Sequence, residues 1–470
     1  MTKKRQSLLF SPKAIAAIIV PLFFQNLLAI AIGMADSMMV SNKGEAAFAG
    51  VSLVGSLDTV LIVLFSALTA GGSVVLAQAM GRDDREHACE AAKQMLYMTT
   101  GFATLIAAVV LILRVPLLRL LFGDVETGVM NNALAYFFFI ALSFPFLAIE
   151  NSVAATLRAQ GDSMTSLKVS LLMNALNIGG NAILIYGLDL GAAGAAIATL
   201  LSRIVGAFIK IGIVLSKKRY IHIVKLLHYR PNGGIIRAIL RIGVPNGIEN
   251  CMFQFGRLMT SSLVSSLGTM AIAANAAALS LANLQYNTGA AVQSTMVAVV
   301  GRCVGAQEKQ QAKYYVRLLL GIAYGAIIAV VLILCLFATP LLRLYGLSGE
   351  TSELARQLLL YHGAVSVVLW PIGFCLPPAF RAANDVRFTM VVSTASMWAF
   401  RVVLGYAMAL ESVSVFGWFT SPSMGMGVMG VWIAMTVDWL CRSGLFLWRF
   451  VSGKWLSKCD ALHPKSATNV

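Results

Sequence analysis

Three amides, Asn174, Asn177 and Asn181, recur at i, i+3 and i+7, a spacing that sets them on one face of a helix. Each offers N–H donors and a carbonyl oxygen, so the stripe can tie helices together or turn oxygens toward a cation. Asp36 stands at the end of an uncharged run from Leu27 to Ala35. A carboxylate there caps a turn at an interface, or it trades a proton or a cation with its surroundings, because desolvation disfavours its charged form. Glu249 and Arg257 lie eight residues apart, about 12 Å along a helix. Glu249 reads either as a residue snorkelling near a helix end or as a functional acid, and Arg257, deeper in its run, needs a partner. Asp58 and Arg401 are single charges with no partner near them in sequence, whereas Asp438 and Arg442 at i, i+4 can neutralise one another as a structural ion pair. In hydrocarbon such charges cost several kcal/mol, which makes each a candidate for handling ions or substrate.

Covalent chemistry finds no support. The five histidines are scattered, with no HExxH and no Ser, His and Asp order that would make a triad. The loops Arg158-Ala-Gln-Gly-Asp162 and Arg381-Ala-Ala-Asn-Asp385 lack the lysine and following Ser/Thr of a phosphate loop. The chain is not expected to be an enzyme, to consume ATP or to hold a resident cofactor. Seven cysteines, with no CxxC and no histidine at ligand spacing, point to neither disulfides nor a structural metal.

The elements that position these residues follow from composition. Of 470 residues, 58% are hydrophobic and 12% charged, against about a quarter charged in an ordinary soluble domain. Apolar runs of about 20 residues recur along the chain, each able to cross a hydrocarbon core of about 30 Å as a helix. About twelve spans are expected, an all-α polytopic membrane protein. The formal charge of +16 sits in short loops between the runs and not on a soluble basic face, which excludes a nucleic-acid partner. Basic residues cluster in alternate loops, among them Arg82 with Arg85, Arg158 with Lys168, and the stretch from Ser216 to Arg241. The positive-inside rule makes that face cytoplasmic, with both termini, and turns Lys43 and Glu411 outward. A multi-pass protein of the plasma (inner) membrane is expected, acting as a monomer, with membrane lipid and a small-molecule substrate as its partners.

An internal repeat sets the organisation. A shift of 224 residues pairs Pro21 with Pro245, Asn26 with Asn250, Gly81 with Gly305 and Gly101 with Gly325. It also pairs Gln25 with Glu249, so the halves share a scaffold but differ in charge. With one residue of drift, Arg158 to Asp162 pairs with Arg381 to Asp385. The expected divisions are an N-terminal six-helix lobe (1–215), a basic cytoplasmic linker (216–236), a C-terminal six-helix lobe (237–452) and a cytoplasmic tail (453–470). Six helices per half make the repeats parallel, an arrangement typical of transporters whose lobes rock about a central cavity.

At this point the sequence resembles the MATE (multidrug and toxic compound extrusion) family over nearly its full length. The match is carried by Pro21 to Val40 with its Gln25-Asn26 and Asp36-Ser37, by Ala77-Gln78-Ala79-Met80-Gly81, by the Arg158 to Asp162 loop with its echo, and by Gly191 to Thr199. The resemblance implies twelve helices in two lobes, alternating access, and export of cationic or amphipathic small molecules against inward flow of H+ or Na+. It also implies an ion-coupling site of Asp36, Asn177, Asn181 and Thr199. Asn181 departs from family members that carry an acid there. One formal charge then balances a single proton or a single transported Na+ at Asp36, and the missing acid leans the expectation toward protons. Glu249, Arg257, Arg401, Gln25 and Asp58 remain as further polar residues of the C-terminal lobe or the cavity. The alternative function is a flippase for lipid-linked oligosaccharides or other amphipathic lipid precursors, against which the small number of basic residues seen within spans argues.

Overall fold

The computed structural model describes residues 8–457 apart from 124, 225, 227, 411, 416–418 and 423, so Glu411 and the end of the expected tail lie outside the described residues. Among these residues twelve long helices carry the chain. In order they are α1 (Pro12–Ser41), α2 (Glu45–Gly81), α3 (Arg85–Phe122), α4 (Thr127–Ala159), α5 (Ser163–Gly187) and α6 (Gly191–Leu215). They continue as α7 (Gly233–Ser265), α8 (Thr269–Gly305), α9 (Lys309–Leu336), α10 (Gly349–Ala382), α11 (Val386–Ala409) and α12 (Gly427–Val451). The expected all-α membrane architecture is what the chain adopts. A two-stranded antiparallel hairpin, Ser412–Val415 with Phe419–Pro422, is a small addition between α11 and α12.

Nine of these helices, all but α7, α8 and α12, are long and apolar enough to cross a membrane by themselves. The other three are 33, 37 and 25 residues long. They carry Glu249 and Arg257, Gln285 and Gln293, and Asp438 and Arg442, so their lower hydropathy reflects polar side chains and not shortness.

By contacts the chain divides into two compact units, Met1–Gly247 and Ile248–Val470, with the division inside α7. In the first unit small residues let backbones close up, as expected where lipid is as apolar as the core and association rests on van der Waals packing. A Cβ on Gly50 of α2 would stand 2.8 Å from the Ala133 nitrogen and the Val129 oxygen of α4. Phe65 and Phe144 meet edge to face at 5.4 Å in the same layer. In the second unit an aromatic column runs from Tyr286 through Trp370 to Phe374, with stacked centroids 5.8 and 5.2 Å apart.

The turns recur with the repeat. Left-handed backbone appears at Gly44 and Gly268, at Asp83 and Gln307, and at Gly161 and Asn384, each pair 223 or 224 residues apart. At Gly161 (φ 85°) and Asn384 (φ 63°) the chain ends one helix in the conformation that Gly and Asn adopt most readily, and the next residue is an aspartate in both. Asp162 caps α5 by accepting from the Thr165 N–H at 3.0 Å and binds Arg219 at 2.5 Å. Asp385 accepts from Arg449 Nε at 2.8 Å. The duplicated aspartate is thus held by an arginine just beyond the end of α6 in the first unit and by one in the last turn of α12 in the second.

Candidate functional site

Helices α1, α5 and α6 gather the four residues named from the sequence. Gly180 permits this, since a Cβ there would stand 3.0 Å from that of Ala198, so α5 and α6 run in close contact. Asn177 Nδ2 donates to Thr199 Oγ1 at 3.1 Å, and the Thr199 hydroxyl donates back to the Ala195 carbonyl at 2.9 Å. One turn on, Asn181 Nδ2 donates to Asp36 Oδ1 at 2.5 Å. Immediately after Asn181 the helix widens into a π-helical segment, Ala182–Gly187, a distortion common beside functional residues. Asn177 and Asn181 are buried while Asp36 and Thr199 are half-buried. Both amide carbonyl oxygens, Asn177 Oδ1 and Asn181 Oδ1, are buried without a hydrogen-bond partner among the described residues. The cluster therefore presents a carboxylate, a hydroxyl and two unused amide oxygens, an oxygen donor set that suits a hard cation. Asn174, the third amide of the stripe, makes no hydrogen bond to the other members.

Around this cluster the charges have partners that sequence spacing did not show. Asp58 lies 4.0 Å from Arg203 of α6, whose Nη1 also donates to Ser143 Oγ at 2.6 Å. Lys210, fully buried, pairs with Glu150 at 2.9 Å. Arg203 and Lys210 were missed in the sequence, and both break an apolar run; Arg203 follows Thr199 by four residues, which was the available signal. They also raise the number of basic residues within spans above what the sequence reading allowed. Gln25 Nε2 donates to Ser170 Oγ at 3.0 Å, tying α1 to α5.

In the second unit Glu249 approaches Arg381 at 3.5 Å. Arg257 is exposed and has no ion pair among the described residues, so the partner expected for it is not found there. Arg401 is not solitary. Its Nη2 lies 3.2 Å from Asp438 Oδ2, and Arg442 Nη2 lies 3.2 Å from Asp438 Oδ1, so the expected pair is a triad of two guanidiniums and one carboxylate. Ser396 donates to the same carboxylate at 2.5 Å. Phe253 faces both guanidiniums, with ring-centroid distances of 5.4 and 5.8 Å, and Phe374 faces Arg442 at 4.9 Å. No group of three or more His, Cys, Asp or Glu placed to hold a metal occurs among the described residues.

Comparison with known proteins agrees with this architecture. A sequence model of the MatE family matches residues 21–183 and again 245–407, well over half of the chain, and the two matches begin 224 residues apart. A probable multidrug resistance protein NorM from Thermotoga maritima is 28% identical over 455 residues, covering 94% of this chain and 93% of the relative. An uncharacterized transporter, YisQ, from Bacillus subtilis is 25% identical over 447 residues, covering 93% and 94%. Among solved structures, an outward-facing multidrug resistance transporter of the MATE family and MOP superfamily superposes with a TM-score of 0.85 at 23% identity, covering 97% of this chain and 99% of the other.

Proposed function

The chain belongs to the MatE family, and from that premise we propose that it is a secondary active exporter of cationic or amphipathic small molecules, driven by a monovalent cation that enters through Asp36, Asn177, Asn181 and Thr199. The observation that carries this reading is the contact of Asp36 with Asn181 beside two buried amide oxygens that have no partner. One carboxylate balances one cation. Charge alone pointed to a proton, but a proton needs a single acceptor, whereas the unused oxygens of Asn177 and Asn181 are ligands for a desolvated Na+. Na+ is accordingly the coupling ion in this reading. A cation moves the transport equilibrium only by its difference in affinity between the inward-open and outward-open states, so the cluster has to change its geometry or solvent access between them.

The test is dye transport into everted vesicles, the counterpart of efflux from the cell, under separately imposed Na+ and H+ gradients directed out of the lumen. A Na+ gradient should drive efflux in the wild type and fail in Asp36→Asn, which keeps its fold. Efflux driven by protons alone would replace Na+ by H+ at the same residues. Undiminished gradient-driven efflux by Asp36→Asn would remove the site.

A further inference from the structure

A polar cavity of about 130 Å³ opens within the second unit, between α7, α8, α10, α11 and α12, and the proposed coupling chemistry makes no use of it. Its walls include Arg442, Ser393, the Glu249 and Arg381 pair, and the rings of Phe253 and Phe374. Charge there is unbalanced. Arg401 and Arg442 share the single carboxylate of Asp438, while Glu249 is already answered by Arg381, so one guanidinium charge is left over.

Hydrogen-bond donors are left over as well. Arg442 is 3% exposed and Ser393 is 4% exposed, and among the described residues neither Arg442 Nε nor the Ser393 hydroxyl has a hydrogen-bond partner. A buried donor without an acceptor is costly, more so on a charged group, which makes the cavity complementary to an anion that accepts from both. A carboxylate brings two acceptor oxygens and the missing negative charge in a geometry that guanidinium donors match. A cation placed there would meet Arg381 and Arg442 with no free acid to hold it. The two phenylalanine rings, 6.3 Å apart and at 79°, suit a flat apolar body behind the carboxylate. Drug-sized ligands occupy about 300–1,000 Å³, so this cavity takes a small anion or one end of a larger molecule.

We infer that the C-terminal unit binds an aromatic carboxylate through Arg442 and Ser393, with Arg381 at the rim. The site shares no residue with the coupling cluster.

The test is equilibrium titration of the full-length protein in lipid nanodiscs with benzoate, and with benzylammonium as the same ring bearing the opposite charge. Benzoate should bind and raise the thermal midpoint, and benzylammonium should not displace it. Ser393→Ala and Arg442→Lys should each weaken benzoate about tenfold, the effect of one lost hydrogen bond to a charged group. Arg442 also holds Asp438, so the effect of Arg442→Lys counts only if its unliganded elution and midpoint match the wild type; Ser393→Ala carries the test otherwise. Counterflow of labelled benzoate in proteoliposomes separates two sources of the group. Uptake makes the small carboxylate itself the cargo, and binding without uptake makes it the end of a larger substrate; both support the site. Absence of benzoate binding at millimolar concentration, displacement by benzylammonium, or unchanged affinity in Ser393→Ala would overturn it.

Discussion

Arg203 holds a charge that would otherwise be stranded. Asp58 Oδ1 is buried without a hydrogen-bond partner among the described residues, and the Arg203 guanidinium 4.0 Å from Oδ2 is the nearest compensation the ion pairs provide. Removing one member of such a pair leaves an uncompensated group, whereas removing both costs less. Arg203→Gln should therefore lower unfolding stability by about 1–3 kcal/mol, and adding Asp58→Asn should recover part of the loss. A double-mutant cycle on denaturant unfolding measures this. Coupling below about 0.5 kcal/mol would mean that the two charges act independently. The same residue marks where sequence reading ended. Asp36, Asn177, Asn181 and Thr199 could be named together because the resemblance to the MATE family implies an ion site at those positions, and the structure places them in two hydrogen-bonded pairs. Arg203 and Lys210 were passed over because loop counting assigns basic residues to helix ends, and neither has a local partner to reveal it. Arg401 with Asp438 is a contact between α11 and α12, 37 positions apart, which no spacing rule reaches.

The turns were more legible than the helix interiors. Gly161 and Asn384 differ in identity, yet both adopt a left-handed φ before an aspartate, so the duplicated pattern encodes a backbone requirement that sequence comparison within the chain could register. The three π-helical segments, Ala182–Gly187, Pro371–Cys375 and Met397–Leu404, left no such trace, because a widened turn depends on side chains packing around it. At the α4–α5 turn the physics can be tested by pH. Burial pushes the Asp162 carboxyl up, but the bonds from Thr165 and Arg219 outweigh it and hold the group below the usual carboxylate range. A depressed folded value contributes stability that is fully present above the unfolded value of about 3.9 and is lost as pH falls through the folded one. Asp162→Asn keeps a good capping residue but loses the charge opposite Arg219. It should be less stable than the wild type at pH 7 by no more than about 1 kcal/mol, since the pair is partly solvated. The difference should close as the pH is lowered below about 4 in thermal unfolding of the two proteins. A gap that stayed constant down to pH 3 would show that the charge contributes nothing.

At the scale of the first unit, loops sort to opposite ends, and their charges give the orientation. On one end the turn after α2 meets the segment after α6: Arg85 Nε donates to the Tyr220 carbonyl at 2.8 Å, and the Tyr220 hydroxyl donates to Asp83 at 2.6 Å. Arg219 joins the α4–α5 turn to the same end through Asp162. At the other end the α1–α2 turn meets the α5–α6 turn, where Lys43 pairs with Asp189 at 2.6 Å and Asn42 donates to Tyr186 at 3.1 Å. The first end collects Arg82, Arg85, Arg158, Lys217, Lys218 and Arg219, whereas the second has fewer, Lys43 and, where α3 ends, Arg114 and Arg119. Positive charge near helix ends is retained in the cytoplasm during insertion, so the first end should face inward and the second outward. Single cysteines at 43, 82 and 218, in a background without the native thiols, test this with a membrane-impermeant maleimide applied to intact cells. Lys43→Cys loses the Asp189 ion pair and a contact with the Tyr186 ring, both at the protein surface, and should fold normally. Position 43 should label from outside, and positions 82 and 218 should label only after the membrane is opened. Labelling of 82 and 218 in sealed cells with protection of 43 would invert the protein, and would turn the Asp36 cluster, close to the Lys43 end of α1, toward the cytoplasm instead of the medium.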